Sequence, residues 1–241
     1  MSSESRTHRA VELTLALVLA VLTLPLLIGV AAASTLAYRT SPIFVHERVG
    51  RHGARFSFVK IRTLPPATGR YLDKHSIGTG NIPRVMQLVR RTHLDEIPQL
   101  WLVLTGHLSL VGPRPEMAVL HQRISARAAA ERLSVRPGVT GLWQVSVHCN
   151  SLISDRVEYD RLYVRHRNLA LDLWILARTA QKMAFGRMVH LFEVPRWAIG
   201  AERQPTIIDL TATALAASST PKPLDLTSLD SEPQRALSGG A

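Results

Sequence analysis

Cysteine is almost absent from this sequence, since Cys149 is the single thiol in 241 residues. One cysteine excludes a disulfide framework and a cysteine-rich zinc site, and it fits a reducing compartment. Acidic residues are also scarce, with 18 against 29 basic ones and a formal net charge of +11. Lysine contributes little to that excess, because 25 of the basic residues are arginine and four are lysine.

The positive charge is unevenly distributed along the chain. Residues 200–241 carry three basic and five acidic side chains, so residues 1–199 hold 26 basic and 13 acidic ones, a net charge of +13. A folded region this basic is expected to meet nucleic acid, a phosphorylated substrate or an anionic membrane. The apolar content of 46% excludes disorder for most of the chain. Residues 200–241 are rich in Ser, Thr, Pro and Ala, and we predict a disordered tail there.

The longest uncharged stretch, Leu13–Ala37, has 25 residues and is long enough to cross a bilayer. Its length argues against a cleaved signal peptide, although small residues near its end imitate a cleavage site. Pro25, near the middle, removes a helical hydrogen bond and predicts a kink or a break. Two arrangements stay open from these residues: a bent helix that spans the bilayer, and a re-entrant hairpin. Arginines flank the stretch on both sides, which is an argument for the hairpin because arginine prefers the cytoplasmic side.

Local patterns predict a short β-hairpin followed by several helices. The strands Ile43–Val49 and Phe56–Ile61 flank the turn residues Arg51–Gly53, and a loop extends from Pro65 to Pro83. Helices are predicted over Arg84–Arg91, Leu94–Leu104 with Pro98 in its first turn, Glu116–Leu133, Ser154–His166 and Leu169–Phe185, the last capped by Gly186. The stretch Arg136–Val147 is predicted to be irregular or extended.

Two adjacent carboxylates, Asp95 and Glu96, are the strongest candidates for a reactive site. A helix beginning at Leu94 would place both at its N-terminus, where free N–H groups and the helix dipole favour anions. Acidic pairs in a first turn are common, so the basic neighbourhood is what singles this pair out. The nearby basic residues are Lys60, Arg62, Arg90, Arg91, Arg114 and Arg136. A carboxylate among phosphate-binding guanidinium groups is expected to have a low pKa and to serve as a nucleophile or metal ligand.

Six groups of residues follow one another between Arg9 and Phe185. The first is the membrane segment with its proline, and the second comprises Ser41–Phe44, Glu47–Gly50, Phe56 and Lys60–Thr63. The third is Leu94–Leu100, the fourth is Ser109–Glu116, and the fifth is Arg136–Gly141 with Gln144. The sixth comprises Asp160, Tyr163–Val164 and Leu171–Leu173. This set resembles the bacterial sugar transferases, the monotopic phosphoglycosyl transferases that act on polyprenyl phosphate, in their short single-domain form. The resemblance implies an α+β protein with a re-entrant helix-break-helix, a small β-hairpin and a helix-rich catalytic domain lying on the membrane face.

The resemblance also implies boundaries and a location. Residues 1–9 would form a cytoplasmic arm, residues 10–38 a re-entrant membrane segment broken at Pro25, and residues 39–199 the catalytic domain, followed by the disordered tail. Both ends of the membrane segment would then face the cytoplasm of a bacterium, and anionic lipids of the inner membrane would be partners. No nucleic acid is expected as a partner, and the sequence leaves the oligomeric state open.

In that family the aspartate of the acidic pair attacks the sugar-linked phosphate of a nucleotide diphosphate sugar. Carried over to this sequence, Asp95 is the nucleophile and a Mg²⁺ ligand, and the products are a phosphosugar on Asp95 and a nucleoside monophosphate. Polyprenyl (undecaprenyl) phosphate then takes the sugar phosphate, which gives a polyprenyl-diphosphate-sugar. Glu96 would act as a base toward the lipid phosphate or would order the site.

The remaining roles implied by the resemblance concern substrate binding. Arg90 and Arg114 would hold phosphates, and the further phosphate-binding candidates are Lys60, Arg62 and Arg136. The nucleotide sugar, most simply a UDP-sugar, would lie near Thr140, Gln144 and His148.

The sequence departs from the family pattern at several positions. Leu24 stands where the family has a serine before the membrane proline, and Glu12 replaces an aspartate. His93 replaces the serine before the Leu-Asp-Glu motif, which leaves Thr92 as the expected helix cap. Ser146–His148 replaces Asn-Gly-Arg in a stretch that would touch the nucleotide sugar. The sugar therefore stays open between a hexose, such as glucose or galactose, and an N-acetylated amino sugar.

Two other functions are compatible with parts of the sequence. A non-catalytic membrane adaptor could keep this fold and bind lipid or nucleotide sugar without turnover, but the intact Asp95–Glu96 pair argues against it. A membrane-anchored nucleic-acid-binding protein would use the positive charge, but the chain lacks interleaved aromatic residues and a recognisable binding motif. The final glycan, whether exopolysaccharide, capsule, O-antigen or glycoprotein glycan, is also left open.

Overall fold

A computed structural model describes residues 6–66, 68, 82–121 and 124–199. The helices within these ranges are α1 (Arg6–Tyr38), α2 (Arg84–Arg91), α3 (Gln99–Leu104), α4 (Ala118–His121), α5 (Ala126–Leu133), α6 (Leu142–Val145), α7 (Val157–His166), α8 (Leu169–Phe185) and α9 (Arg196–Ile199). The strands are β1 (Ile43–Val49), β2 (Arg55–Ile61), β3 (Ser109–Val111) and β4 (Gly138–Thr140). This mixture confirms the predicted α+β class. The predicted tail, most of the predicted loop and the first five residues of the predicted arm lie outside the described residues.

The first helix, α1, is one continuous element of 33 residues with Pro25 inside it. It is long and apolar enough to cross a membrane, and 11% of its most apolar window is buried. The helix-break-helix predicted at Pro25 is therefore corrected to an unbroken helix. Proline removes its own N–H bond, while the turn before it stays closed and Thr23 Oγ1 donates to Leu19 O at 2.7 Å. Continuity does not decide which side of a membrane each end faces, so the re-entrant arrangement stays a prediction.

Both ends of α1 are attached to the same domain. Near the N-terminus, Glu12 accepts a hydrogen bond from Arg9 at 2.5 Å and another from the Leu110 N–H at 2.6 Å. Near the C-terminus, Ser34 Oγ donates to Arg62 O at 2.6 Å. Large apolar side chains between these two attachments are exposed, namely Leu17, Val18, Val21, Leu22, Leu24, Leu26 and Ile28.

The strands β1 and β2 confirm the predicted hairpin. They pair antiparallel around the turn Arg51–Gly53, with His46 opposite Phe58. Side chains alternate between the two faces of a strand, and Phe58 is almost completely buried on the inner face. Lys60 follows two residues later on that same face. The hairpin therefore turns the basic side chain of Lys60 toward the domain.

A second sheet, which the sequence did not predict, pairs β3 with β4 in parallel. Its strands have three residues each, too few to show a periodic pattern, which is why residues 136–147 were predicted to be irregular or extended. A Cβ at Gly138 would lie 2.1 Å from the Gly112 nitrogen, so only glycine permits this approach. Gly112 N–H also donates to Thr140 O at 2.9 Å. These contacts fix the start of the turn that carries Arg114.

Two of the predicted helices are divided, so both predictions of a single element are wrong. The predicted helix Leu94–Leu104 becomes a 3₁₀ turn over Leu94–Glu96 followed by α3, because Pro98 cannot donate a hydrogen bond and stands at the N-cap of α3. The predicted helix Glu116–Leu133 becomes α4 and α5. Ser125 begins α5, where its hydroxyl accepts a hydrogen bond from the Ala128 N–H.

The last two long helices are close to their predictions. The helix α7 begins at Val157, after a 3₁₀ turn at Ile153–Asp155. The helix α8 has the predicted bounds and ends at Gly186, whose φ of 68° suits glycine. The main core draws side chains from α3, α6 and α8, among other elements, and includes Val103, Leu108, Leu142, Val145, Leu171 and Ile175. A smaller core around Met86 joins α2 to the C-terminal half of α1.

Candidate active site

Asp95 and Glu96 lie on the 3₁₀ turn between α2 and α3. His93 begins this turn with a φ of 55° in the left-handed region, which few residues other than glycine adopt. The helix cap expected from Thr92 is wrong, because its hydroxyl donates back to Leu88 O at 2.8 Å, at the end of α2. The turn is closed instead by the Glu96 N–H, which donates to His93 O at 3.0 Å.

Glu96 is held by two basic side chains from different elements. Lys60 Nζ donates to Glu96 Oε1, and Arg114 Nη2 lies 3.7 Å from the same oxygen. Burial alone would raise the pKa of Glu96, but Lys60 and Arg114 outweigh burial and hold that pKa well below its usual range. Glu96 is therefore an ionised carboxylate that positions two cations.

Asp95 has the opposite character. Its side chain is buried, and within the described residues no side chain donates a hydrogen bond to its carboxylate. Burial raises the pKa of Asp95 to about 6, against the opposing charges of Lys60 and Arg90 and with the help of Glu96. The low pKa expected from the basic surroundings is therefore wrong, because Lys60 is hydrogen-bonded to Glu96 and desolvation dominates at Asp95. The unpartnered carboxylate is available to a cation or an electrophile.

Arg90 approaches the acidic pair from the side of α1. Its Nη1 donates to Thr63 Oγ1 at 3.3 Å, and Thr63 O accepts a hydrogen bond from Tyr38 Oη at 2.9 Å. Tyr38 is the last residue of α1. Arg90, one of the predicted phosphate-binding residues, is thus connected to the C-terminal end of α1.

Arg114 is positioned by residues of α5 and α7. Its backbone carbonyl accepts a hydrogen bond from Arg132 Nη2 at 2.7 Å. Arg132 in turn forms a buried ion pair with Asp160, with Nε and Oδ2 2.7 Å apart. The pair between α5 and α7 therefore supports the turn that carries Arg114.

Two of the predicted phosphate-binding arginines are held elsewhere. Arg62 Nε donates to Ser41 O at 3.0 Å, and the Arg62 guanidinium lies 5.7 Å from the centre of the Phe44 ring. Arg136 Nε donates to Gly106 O at 3.1 Å. In the part of the chain that the structure describes, Lys60, Arg90 and Arg114 surround the acidic pair, and Arg62 and Arg136 do not join them.

The three predicted nucleotide-sugar residues lie on β4 and beyond it. Thr140 Oγ1 and Thr179 Oγ1 share a hydrogen bond of 2.8 Å, which joins β4 to α8. The side-chain amide of Gln144 is buried with no hydrogen-bond partner among the described residues. The rings of His148 and Tyr159 are 5.9 Å apart. Their roles stay predictions.

Sequence reasoning missed His46, which lies beside the acidic pair on the inner face of β1. His46 Nε2 accepts a hydrogen bond from Arg48 Nε at 2.7 Å. Burial, with the charges of Arg48, Lys60 and Arg114, lowers the pKa of His46 to about 3. The available signal was the alternation of the strand, which puts His46 and Arg48 on the same face as Phe44.

The donor set fits a Mg²⁺ ion that is held largely by its substrate. Across residues 6–66, 82–121 and 124–199, no group of three or more His, Cys, Asp or Glu side chains converges on one point. Glu96 is occupied by Lys60 and Arg114, whereas the Asp95 carboxylate has no side-chain donor within the described residues. Mg²⁺ is commonly bound by one or two carboxylates together with substrate phosphates and water.

A carboxylate pair that is largely withdrawn from solvent, surrounded by basic side chains and close to an exposed apolar helix, is the arrangement expected of a site for phosphorylated substrates at a membrane surface. The profile of the bacterial sugar transferase family matches residues 3–186. The chain belongs to that family, as the resemblance of its motifs predicted, and the matched region ends with α8.

Three relatives illustrate the range of similar proteins. The UDP-glucose:undecaprenyl-phosphate glucose-1-phosphate transferase of Caulobacter vibrioides is 34% identical over 183 residues, which cover 73% of this chain and 68% of that protein. The exopolysaccharide production protein ExoY of Rhizobium meliloti is 30% identical over 68% of this chain and 79% of its own length. The UDP-galactose-lipid carrier transferase of Erwinia amylovora is 35% identical over 58% of this chain. The match spans about a third (32%) of that last protein.

Proposed function

We propose that this protein transfers a sugar 1-phosphate from a UDP-sugar to undecaprenyl phosphate. The products are undecaprenyl-diphosphate-sugar and UMP, and the reaction is the first membrane step in building a glycan such as an exopolysaccharide. The observation that carries the proposal is the contrast within the acidic pair. Glu96 holds two cations, while Asp95 is buried, receives no side-chain hydrogen bond within the described residues and is close to both Lys60 and Arg90.

In the proposed first step, a carboxylate oxygen of Asp95 attacks the sugar-linked phosphorus of the UDP-sugar. The bond from that phosphorus to the bridging oxygen breaks, and UMP leaves with the bonding electron pair. The sugar phosphate is then covalently attached to Asp95. Attack by an anion on a phosphate requires nearby positive charge to neutralise the phosphate oxygens, and Lys60, Arg90 and Arg114 supply it here.

In the proposed second step, an oxygen of undecaprenyl phosphate attacks the same phosphorus. The bond between that phosphorus and the Asp95 oxygen breaks, and the carboxylate is restored as the diphosphate-linked product forms. Arg90 suits this step, because its link through Thr63 to Tyr38 places it where α1 leaves the domain.

The low pKa of Glu96 bears on the choice between its two predicted roles. A carboxylate whose protonated form is this unstable is a poor proton acceptor at neutral pH. We therefore favour the ordering role, in which Glu96 fixes the Lys60 ammonium and the Arg114 guanidinium. A Mg²⁺ ion held by Asp95 and by the substrate phosphates would neutralise diphosphate charge when bound.

The attachments of α1 support the re-entrant topology and a site on the cytoplasmic face. Glu12 and Ser34 bind the same domain from opposite ends of the helix, while the apolar side chains between them are exposed. A helix that spanned the bilayer would carry one of these attachments to the other side. Tags at both termini should be inaccessible from outside intact cells, and external labelling of the N-terminal tag would contradict the re-entrant topology.

The reaction is tested with membranes that contain the protein, undecaprenyl phosphate and Mg²⁺. UDP-glucose and UDP-galactose are the first donors to try, because the names of relatives mention these sugars, and UDP-N-acetylamino sugars complete the panel. We expect UMP release from at least one donor and none from an Asp95→Asn variant. Equal release by the variant would refute the covalent step, and no release from any donor would leave the adaptor as the better explanation.

A further inference from the structure

Besides Lys60, the inner face of the β-hairpin carries a second cation, Arg48, that the reaction described above does not use. Its side chain is 12% exposed, and those of Lys60 and Arg114 are 16% and 27% exposed. The Arg48 guanidinium and the Lys60 ammonium both lie over the Phe58 ring, at 5.6 and 5.5 Å from its centre. Arg48 and Lys60 therefore share one aromatic support next to the acidic pair.

The contacts of Arg48 leave its charge only loosely compensated. Its nearest carboxylate, on Glu116, is 3.7 Å away, and its Nη1 donates to Pro115 O at 3.3 Å. The shortest contact is the 2.7 Å bond from Arg48 Nε to His46 Nε2, an acceptor without charge. A largely buried guanidinium usually has a close carboxylate or phosphate partner. The arrangement is typical of a cation that awaits an anionic ligand.

His46 has the properties needed to orient this guanidinium without neutralising it. Its ring packs between Phe44 and Phe58, with ring centres 5.3 and 5.2 Å apart. Because Nε2 accepts from Arg48, the ring proton must be on Nδ1. The low pKa of His46 keeps the ring neutral, so all of the positive charge stays on Arg48.

We propose that Arg48 binds a phosphate oxygen of a substrate, and that His46 is the positioning residue that aims its guanidinium into the site. The inference rests on the proposed function, since the ligand is one of its two phosphorylated substrates. Arg48, Lys60 and Arg114 then form a three-cation cluster around Glu96. The ligand is either the diphosphate of the UDP-sugar or the phosphate of the lipid acceptor.

The hairpin supplies a matched control for the removal of charge. Arg55 stands on the opposite face of the same hairpin, is largely exposed and pairs with Glu47 at 2.9 Å. Arg55→Met and Arg48→Met therefore remove the same group from the two faces. For the positioning residue, His46→Leu removes the acceptor, whereas His46→Gln restores a neutral acceptor on a side chain of similar reach.

Binding of UDP-glucose and UDP-galactose is measured on the Asp95→Asn background, so that no turnover intervenes. The KM for undecaprenyl phosphate is measured on the active protein. We expect Arg48→Met to raise either the Kd for the UDP-sugar or the KM for undecaprenyl phosphate by about 10- to 100-fold, the range of a charge-assisted hydrogen bond. Arg55→Met should change neither constant. A weakened Kd for the UDP-sugar assigns the diphosphate, and a raised KM with unchanged Kd assigns the lipid phosphate. His46→Leu should show a smaller loss of the same kind, and His46→Gln should recover most of it.

Thermal unfolding shows whether each variant is folded. Should Arg48→Met fail to fold, Arg48→Lys keeps the charge but not the planar fork, and we expect it to lose affinity with little loss of stability. A folded Arg48 variant with both constants unchanged would overturn the proposal, as would a His46→Gln variant as impaired as His46→Leu. Failure of the parent protein to release UMP is a different result, which concerns the proposed function and not Arg48.

Discussion

Asp95 and Asp160 are both buried aspartates, but one has a partner and the other does not. Asp160 is 1% exposed and pairs with Arg132, which also donates to Arg114 O. Asp95 is 8% exposed, and among the described residues no side chain donates a hydrogen bond to its carboxylate. A buried charge without a partner is destabilising, so a fold keeps such a group where another molecule will complete its environment. One region thus holds an ion pair that supports the fold, and the other holds a carboxylate that is available for reaction. Each prediction below alters one of these two regions.

The largest effect should follow the loss of the unpartnered carboxylate. Asp95→Asn removes the proposed nucleophile but keeps the shape of the side chain, and we expect UMP release to fall by roughly 1,000-fold or more. The measurement is UMP release with the best donor of the panel. Asp155→Asn, a change at an exposed position on another turn, should leave the rate close to that of the parent.

The next largest effect should come from the partnered aspartate, and it should appear in stability. Asp160→Asn leaves Arg132 as a buried charge without its carboxylate, which costs about 3–5 kcal/mol. We expect the Tm of the domain to fall by roughly 10 °C, with a loss of activity because Arg132 also holds the turn of Arg114. Replacing both partners, with Arg132→Met and Asp160→Leu, should restore part of the Tm. A double variant less stable than Asp160→Asn would contradict this account.

Asp95→Asn should also change the stability of the fold, by less than Asp160→Asn does and in the opposite direction. The folded state raises the pKa of Asp95 from 3.8 to about 6, so the folded protein loses stability as pH rises between these values. Above pH 6 the variant should therefore be more stable than the parent, by up to about 3 kcal/mol. Near pH 3 the Asp95 side chain is largely uncharged in both the folded and the unfolded state, and the difference should vanish. Denaturant unfolding at both pH values measures it, and a variant less stable than the parent at high pH would show that Asp95 is partnered after all.

These contrasts also show what the sequence could predict. Motif order selected Asp95, Glu96, Lys60, Arg90 and Arg114, which the fold brings together. Strand alternation and helix caps placed the β-hairpin and α8. The parallel pairing of β3 and β4 was missed because three-residue strands carry no periodic signal and because their partners are distant in sequence. The break at Pro25 was overestimated, since a proline removes one hydrogen bond while the adjacent turns remain helical.

The electrostatics of the site were the least predictable feature. A count of basic residues near Asp95 predicts a low pKa, but the count does not say which carboxylate each cation reaches. In the fold Lys60 and Arg114 are directed to Glu96, and desolvation then decides the pKa of Asp95. The same limit applies to His46, whose importance depends on a single hydrogen bond from Arg48. Strand alternation puts both side chains on one face, but it does not predict that they bond.

The smallest predicted effect is a change in pH dependence, and it tests which cation acts on Asp95. If the ionised carboxylate is the nucleophile, UMP release should rise about tenfold per pH unit up to about pH 6 and level off above it. Lys60 lowers the pKa of Asp95, so Lys60→Met should move this acid limb to higher pH in addition to slowing the reaction. Arg55→Met, which removes a charge from the outer face of the same hairpin, should leave the limb where it is. An acid limb that stays at the parental pH in Lys60→Met would mean that Lys60 acts on Glu96 alone, and that desolvation by itself sets the reactivity of Asp95.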